Sequence, residues 1–230
     1  MKYKNVVSGI FHSRPNRFIA NVEINGVLEK VHVKNTGRCK ELLLEGAEVF
    51  LAVAEHSARK TKYDLIAVKK TENNRSNLIN MDSQIPNDAA DEWLRSCGLF
   101  SKEAVFTREV KFGSSRFDFF ISDGSRKAFL EVKGVTLEKN GIALFPDAPT
   151  LRGVKHIQEL IHAAELGYEA YVLFVIQMKG VEKFMPNGMT HPEFACTLKE
   201  AEQSGVKLLA MDCIVTEDSI IIDSEIPIEI

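Results

Sequence analysis

Three side chains near the middle of this chain have the types and spacing that chemistry on a phosphate ester needs. The stretch "FLEVKG", residues 129–134, reads as a strand. It carries Glu131 and Lys133 two positions apart, and alternate residues of a strand share a face. The preceding run "SRFDFFIS", residues 115–122, reads as its hairpin partner, and "SDGSR" between them has turn composition. If the loop is Asp123 to Arg126, Asp118 falls directly opposite Glu131. If the turn is Asp123-Gly124, Asp118 faces Phe129 and lies diagonal to Glu131. Both registers set the two carboxylates on one face, with Arg116 and Phe120 beside Asp118, and with Phe117, Phe119 and Ile121 behind.

Two carboxylates about 5 Å apart at an effective dielectric near 20 repel by roughly 3 kcal/mol. Protonation, Lys133 or a cation must offset that. Paired Asp and Glu oxygens suit a hard divalent cation, Mg²⁺ or Mn²⁺. Lys133 is then placed to orient or polarise the water that attacks a phosphodiester. The plainer alternative is an ion cluster at a sheet rim, because E-x-K alone is a weak signal.

The next stretch, "LFPDAPTLRGVKHIQEL", sets Arg152, Lys155, His156 and Glu159 on one face of a helix, with Val154, Ile157, Ile161 and Ala164 opposite. The first three form a cationic stripe able to hold phosphates beside the carboxylates. Glu159 reads as solvated, Asp147 as a turn or cap residue, and His162 and His191 as structural.

These residues need a sheet to hold them. The first third reads as short strands, "VVSGIF", "RFIANVEIN", "VLEKVHVK", "AEVFLAVA" and "DLIAVKK", with "INGV" as a hairpin turn. "NTGRCKELLLEG" between the third and fourth reads as a loop and a short helix stopped at Gly46. That is the order of an OB-fold barrel, although a generic small barrel fits too. A polar, Asn-rich stretch with a helix over about 87–96 follows, and the domain boundary is expected near Asp82, giving units 1–82 and 83–230. The second unit runs strand, strand, strand, helix over about 151–166, buried strand "YEAYVLFVIQ", helix over about 192–203, and closing strands: an α/β unit with a mixed sheet.

Composition narrows the function classes. The chain has 230 residues, 45% hydrophobic and 27% charged, ordinary for a soluble globular protein. No apolar run is long enough for a bilayer, the start lacks a secretory h-region, and four scattered cysteines without C-x-x-C spacing suit a reducing cytoplasm. The net charge of −3 hides an asymmetry: residues 1–80 hold 14 Lys and Arg against 8 Asp and Glu, and the remainder 15 against 24. A basic first third suits a polyanion, as it also suits any solvated surface.

Taken together and in order, "NTGR", "SRFDF", "EVKGVTL" and "LFPDAPTLRGVKHI" resemble the sugar fermentation stimulation protein A (SfsA) family nearly end to end. The resemblance implies an N-terminal OB-fold, a C-terminal domain similar to the PD-(D/E)XK nucleases, and DNA as the foremost partner. It implies Asp118, Glu131 and Lys133 as the nuclease-like set, with Val132 offering a main-chain carbonyl to the metal. Phe117 stands where the motif's name puts proline. It also raises the interest of Asn35, Thr36, Gly37, Arg38 and Lys40. These otherwise read as a turn and cap, with Asn35 or Thr36 accepting a backbone N–H. Arg38 and Lys40 become phosphate contacts, and Arg14 and Arg17, flanking Pro15, further candidates. Only Phe18 and Phe50 offer stacking platforms. The expectation is a cytoplasmic, Mg²⁺- or Mn²⁺-dependent nuclease or close relative, without a membrane role and with self-association left open. The rivals are a non-catalytic DNA-binding regulator, of sugar catabolism as the family's name suggests, and an OB-type module for protein or RNA.

Overall fold

The computed structural model describes residues 1–35, 37–54, 59–72 and 75–230, with residue 75 described by its backbone alone. Alternating apolar residues drive the first half into strands β1 (Val6–Asn16), β2 (Ile19–Ile24), β3 (Val27–Val33), β4 (Glu48–Val53) and β5 (Tyr63–Glu72). They lie in the order β3-β2-β1-β4-β5, and a parallel pairing of β3 with β5 closes the barrel. Phe11, Val22, Ile24, Val31, Val49, Leu51 and Leu65 fill it. The β2–β3 turn places Asn25 and Gly26 at φ 51° and 77°, as a two-residue hairpin with right-handed strand twist requires.

Two expectations for this half change. The segment after β3 forms turns, not a helix: Cys39 sits at φ 44°, its carbonyl accepts from Leu42 and Leu43, and Leu42 and Leu43 are buried. A left-handed residue at the first position interrupts helical continuation. The Asn-rich stretch hides a sixth strand, β6 (Arg75–Asn80), zipped antiparallel onto β5 from Glu72↔Arg75 to Ala67↔Asn80.

Helix α1 (Ile85–Leu94) follows, starting about two residues earlier than its pattern suggests because Pro86 fits the first turn. Then come β7 (Val105–Phe112), β8 (Ser115–Asp123), β9 (Arg126–Val135), β10 (Leu137–Lys139), β11 (Ile142–Phe145), α2 (Leu151–Glu165), β12 (Glu169–Ile176), β13 (Lys183–Pro186), α3 (Pro192–Gln203), β14 (Lys207–Val215) and β15 (Ile220–Glu225). The main sheet has the order β15-β14-β12-β9-β8-β7, with β9, β12 and β14 parallel and the rest antiparallel. The fold is therefore mixed α/β, an OB domain followed by a mixed-sheet domain. The short strands β10, β11 and β13 form a second sheet where the sequence suggests only loop.

Helix α1 covers one face of the main sheet over Phe119, Ile121, Leu130 and Val132. Helices α2 and α3 cover the other over Phe117, Phe129, Val172 and Phe174, in a core continuous with the barrel's. The two halves are stitched together by polar groups. Gln177 Nε2 donates to the carbonyls of Asn80 (3.0 Å) and Asp82 (3.1 Å), and Asn80 N–H donates to Gln177 O at 3.0 Å. Within the first half, Lys34 Nζ reaches the wholly buried carboxylate of Asp82 at 2.6 Å, the residue whose carbonyl Gln177 holds. The first residues of the chain pair with the far end, Tyr3 N–H to Asp218 O at 2.7 Å. Among the described residues no helix is long and apolar enough to cross a membrane.

Candidate active site

The β8–β9 hairpin takes the first of the two registers. Ser122 pairs with Lys127 and Phe119 with Leu130, and this register carried one step on sets Asp118 across from Glu131. The expected alternation on β8 fails at one place. Phe120 contacts Phe129 on the α2 side, while Phe119 and Ile121 pack under α1. Strict alternation would send Phe117 under α1, yet its ring packs on Phe129 and against His156. The break lies at Asp118, and across from it on β7 Glu109 holds a left-handed φ of 56°. The Asp118 carboxylate turns sideways toward β9. Its Oδ2 accepts from Val132 N–H at 2.7 Å, and its Oδ1 accepts from Asn87 Nδ2 of α1 at 2.8 Å.

Glu131 is 3% exposed. Its Oε1 takes both the Lys133 ammonium and His156 Nδ1, whereas its Oε2 is buried with no hydrogen-bond partner among the described residues. The two carboxyls are pushed apart. Burial, and after it the charge of Glu131, raises Asp118 above its ordinary range. Burial also works against the Glu131 anion, but the Lys133 charge and the His156 hydrogen bond prevail and hold it below the ordinary range.

His156 is thus a buried prop under Glu131 and not a solvent-facing end of the cationic stripe. Its Nε2 meets Arg152 Nε at 3.3 Å. Arg152 and Lys155 are exposed, and with Asp118, Arg116, Leu151 and His156 they line one open groove of about 670 Å³. Helix α2 delivers them because Thr150 caps it, accepting from Gly153 N–H at 3.0 Å. Glu159 is not simply solvated: it accepts from Ser114 Oγ at 2.6 Å, and Lys155 Nζ donates to Ser114 O at 3.0 Å.

The barrel residues gather elsewhere. Arg14 donates to the carbonyls of Arg17, Asn35, Gly37 and Arg38 at 2.7–2.8 Å, which makes it the clamp of that loop. Asn35 Oδ1 accepts from Gly37 N–H at 2.7 Å, the turn foreseen for it. Arg38 and Lys40 are exposed, as is Arg17, whose guanidinium lies 4.9 Å from the Phe18 ring centre. Thr36 lies outside the described residues. The loop meets the second domain at a smaller cleft with Gly134, Thr136 and Asp147, not at the Asp118 groove.

Sequence reasoning missed Asn87, the partner of Asp118, and the contact of His156 with Glu131. The first had a faint signal, a polar Asn in the first turn of an amphipathic helix. The second had none, because it spans 25 residues.

Residues 84–219 match the family described as "Sugar fermentation stimulation protein RE domain", and residues 13–81 match the "SfsA N-terminal OB domain". The chain belongs to the SfsA family. It is 59% identical over 220 residues to a sugar fermentation stimulation protein homolog of Desulfitobacterium hafniense (strain DSM 10664 / DCB-2), covering 96% of this chain and 94% of that one. It is 52% identical over 230 residues to the homolog of Ruminiclostridium cellulolyticum, covering 100% of both. A solved structure described as "The structure of Pyrococcus Furiosus SfsA in complex with Ca2+" superposes with a TM-score of 0.88 at 29% identity, covering 100% of this chain and 98% of that one.

Proposed function

We propose that this SfsA-family protein binds DNA and cleaves phosphodiester bonds with Mg²⁺ or Mn²⁺ at Asp118 and Glu131. The observation that carries the reading is the bare Oε2 of Glu131, a buried anionic oxygen without a donor among the described residues, near the half-buried carboxylate of Asp118. A buried acceptor left unpaired is costly, and a divalent cation would satisfy it. Among the described residues no cluster of three or more His, Cys, Asp and Glu stands ready for a metal. The donor set is therefore two carboxylates plus backbone, which suits Mg²⁺ because it keeps waters and phosphate oxygens as further ligands. Val132 N–H points at Asp118, and in an extended strand the carbonyl of the same residue leaves by the same edge, so Val132 O is the main-chain candidate. The Pyrococcus furiosus relative is described in complex with Ca²⁺, another oxygen-seeking cation.

When bound, the cation supplies Lewis acidity toward a phosphoryl oxygen. The chain does the rest. Arg152 and Lys155 hold the flanking phosphates in the groove, Asn87 and the Val132 amide fix Asp118, and His156 fixes Glu131. Lys133, held against Glu131, orients the attacking water. The basic loop of Arg38 and Lys40 adds sequence-independent affinity that weakens with salt.

The test is cleavage of plasmid and oligonucleotide DNA with Mg²⁺ or Mn²⁺ by wild type, Asp118→Ala and Lys133→Ala. Turnover by wild type alone supports the reading, and equal turnover by all three defeats it. A regulator that binds without cleaving is the second reading. Both oxygens of Asp118 already hold a donor, which favours it. It requires DNA affinity that survives Glu131→Ala, with no turnover under any divalent ion.

A further inference from the structure

A second, smaller cleft lies where the barrel meets the sheet domain. Asn35, Gly37 and Ser83 form one side, and Gly134, Thr136, Asp147 and Gln177 the other, over a floor that includes Leu144 and Phe145. Its volume is about 180 Å³, space for roughly six waters at about 30 Å³ each and too small for a helix or a drug-sized ligand. Two glycines keep it open. A Cβ on Gly37 would collide with Asp147 Oδ2, and one on Gly134 would lie 2.6 Å from Gln177 Oε1.

The walls combine apolar surface with a fixed set of polar groups. Thr136 is 9% exposed and lines the cleft, and its hydroxyl makes no hydrogen bond among the described residues. The Asp147 carboxylate is an acceptor at the mouth, facing Gly37. The Asn35 amide has its oxygen committed to Gly37 N–H, which leaves its NH₂ to donate. One flat heterocycle with donors and acceptors on its edge matches a small cleft whose lining is mainly polar.

We propose that this cleft takes a single nucleobase carrying an exocyclic amine, the amine donating to Asp147 and the ring edge meeting Asn35 and Thr136. A carboxylate accepts from such an amine, and thymine, which lacks one, offers it less. Gly134 directly follows Lys133 on β9 and turns to the opposite face of the strand, so the slot adjoins the strand that carries the candidate active-site lysine. Arg38 and Lys40, exposed on the loop that builds the slot's wall, stand ready for the phosphates beside such a base. The inference rests on the proposed function and gives it a substrate class: a strand with one base unpaired or turned out of the stack near the scissile phosphate.

The experiment uses the full-length protein with Ca²⁺ in place of Mg²⁺ and duplexes carrying one 2-aminopurine, either paired or opposite a gap. Unstacking raises its fluorescence. The expected result is a several-fold rise with wild type, largest opposite the gap, lost in Asp147→Ala and reduced in Thr136→Val, with melting temperatures confirming that both variants fold. An abasic site at the reporting position should weaken binding by about tenfold. In a parallel arm, free 2-aminopurine riboside competes; success there assigns the slot to a free nucleoside, the same chemistry from another source. No rise in either arm, or a rise untouched by both substitutions, overturns the slot. Because fluorescence needs no turnover, a positive signal without cleavage under Mg²⁺ or Mn²⁺ would refute the nuclease reading and leave the slot standing.

Discussion

Replacing Asp118 by asparagine should make this protein more stable, and under the proposed function should remove one carboxylate ligand of the cation. Asp118 is a half-buried carboxylate near the buried one of Glu131, and desolvation together with the Glu131 charge raises its pKa. Opposed residues of a hairpin lie about 5 Å apart, and at an effective dielectric near 20 their repulsion amounts to roughly 3 kcal/mol. The Asp118→Asn variant keeps both neighbours: the new amide's oxygen accepts from Val132 N–H, and its NH₂ meets the oxygen of Asn87 once that side chain flips. Allowing for imperfect bonds, a gain of about 1–3 kcal/mol remains, equivalent to about 2–10 °C in a chain of this size. The sign with pH follows from a raised folded-state value. The protonated form of Asp118 contributes stability that is fully present below the unfolded pKa and is lost as pH rises through the folded one. The advantage of Asp118→Asn should therefore be largest near pH 8 and shrink as the wild type takes up its proton on acidification. Thermal melts in chelator from pH 5 to 8 read this directly. Adding Mg²⁺ or Mn²⁺ should reverse the order, since a site filled at a hundredfold its Kd adds about 2.7 kcal/mol to wild type alone. Equal or lower stability of the variant at pH 8, with no dependence on pH or metal, would refute the account of the carboxylate pair.

Other expectations concern the props around that pair and the more distant buried groups. His156→Ala strips one of the two donors from Glu131 Oε1 and should cost about 1–3 kcal/mol by denaturant unfolding, while His156→Asn, whose amide reaches the Nδ1 position, should recover most of it. Arg14→Lys should loosen the loop over 35–38 nearly as much as Arg14→Ala, because an ammonium cannot copy a fork that serves four carbonyls; faster amide exchange at Gly37 and Arg38 is the measurement. Burial, followed by Glu41, pushes the Cys39 thiol up to about 12, so native-state alkylation followed by mass spectrometry should label exposed Cys196 and spare Cys39. The Arg126 hydrogen bonds lower Glu169 from 4.5 to about 2. Its contribution is present above pH 4.5 and lost as pH falls toward 2, so Glu169→Gln should flatten acid unfolding across that window.

The parts of the site that a sequence shows well are those fixed by local geometry. The hairpin places Asp118 opposite Glu131 because side-chain alternation and a short turn leave few registers, and the α2 pattern carries Arg152, Lys155 and His156 to one groove. What escapes is settled by tertiary packing. His156 reads as a surface cation by periodicity and becomes a buried partner of Glu131 only when α2 lies across β9. Phe117 crosses to the α2 side because the strand twists at Asp118, a distortion that period-two reasoning cannot register. Strand β6 is hidden by its Asn-rich composition, and β10, β11 and β13 are three or four residues long, below the span at which alternation becomes visible. The pattern of strands and helices shows the OB order and the mixed sheet, and the motifs add the resemblance to SfsA.

Gln177 has a consequence for how the molecule handles force. Its amide grips Asn80 and Asp82 at the last residues of the barrel, and it directly follows β12, the strand hydrogen-bonded to β9. A pull on the barrel therefore arrives at the strand bearing Glu131 and Lys133 through a continuous line of hydrogen bonds. The junction acts as a weld in the place where two-domain proteins commonly hinge.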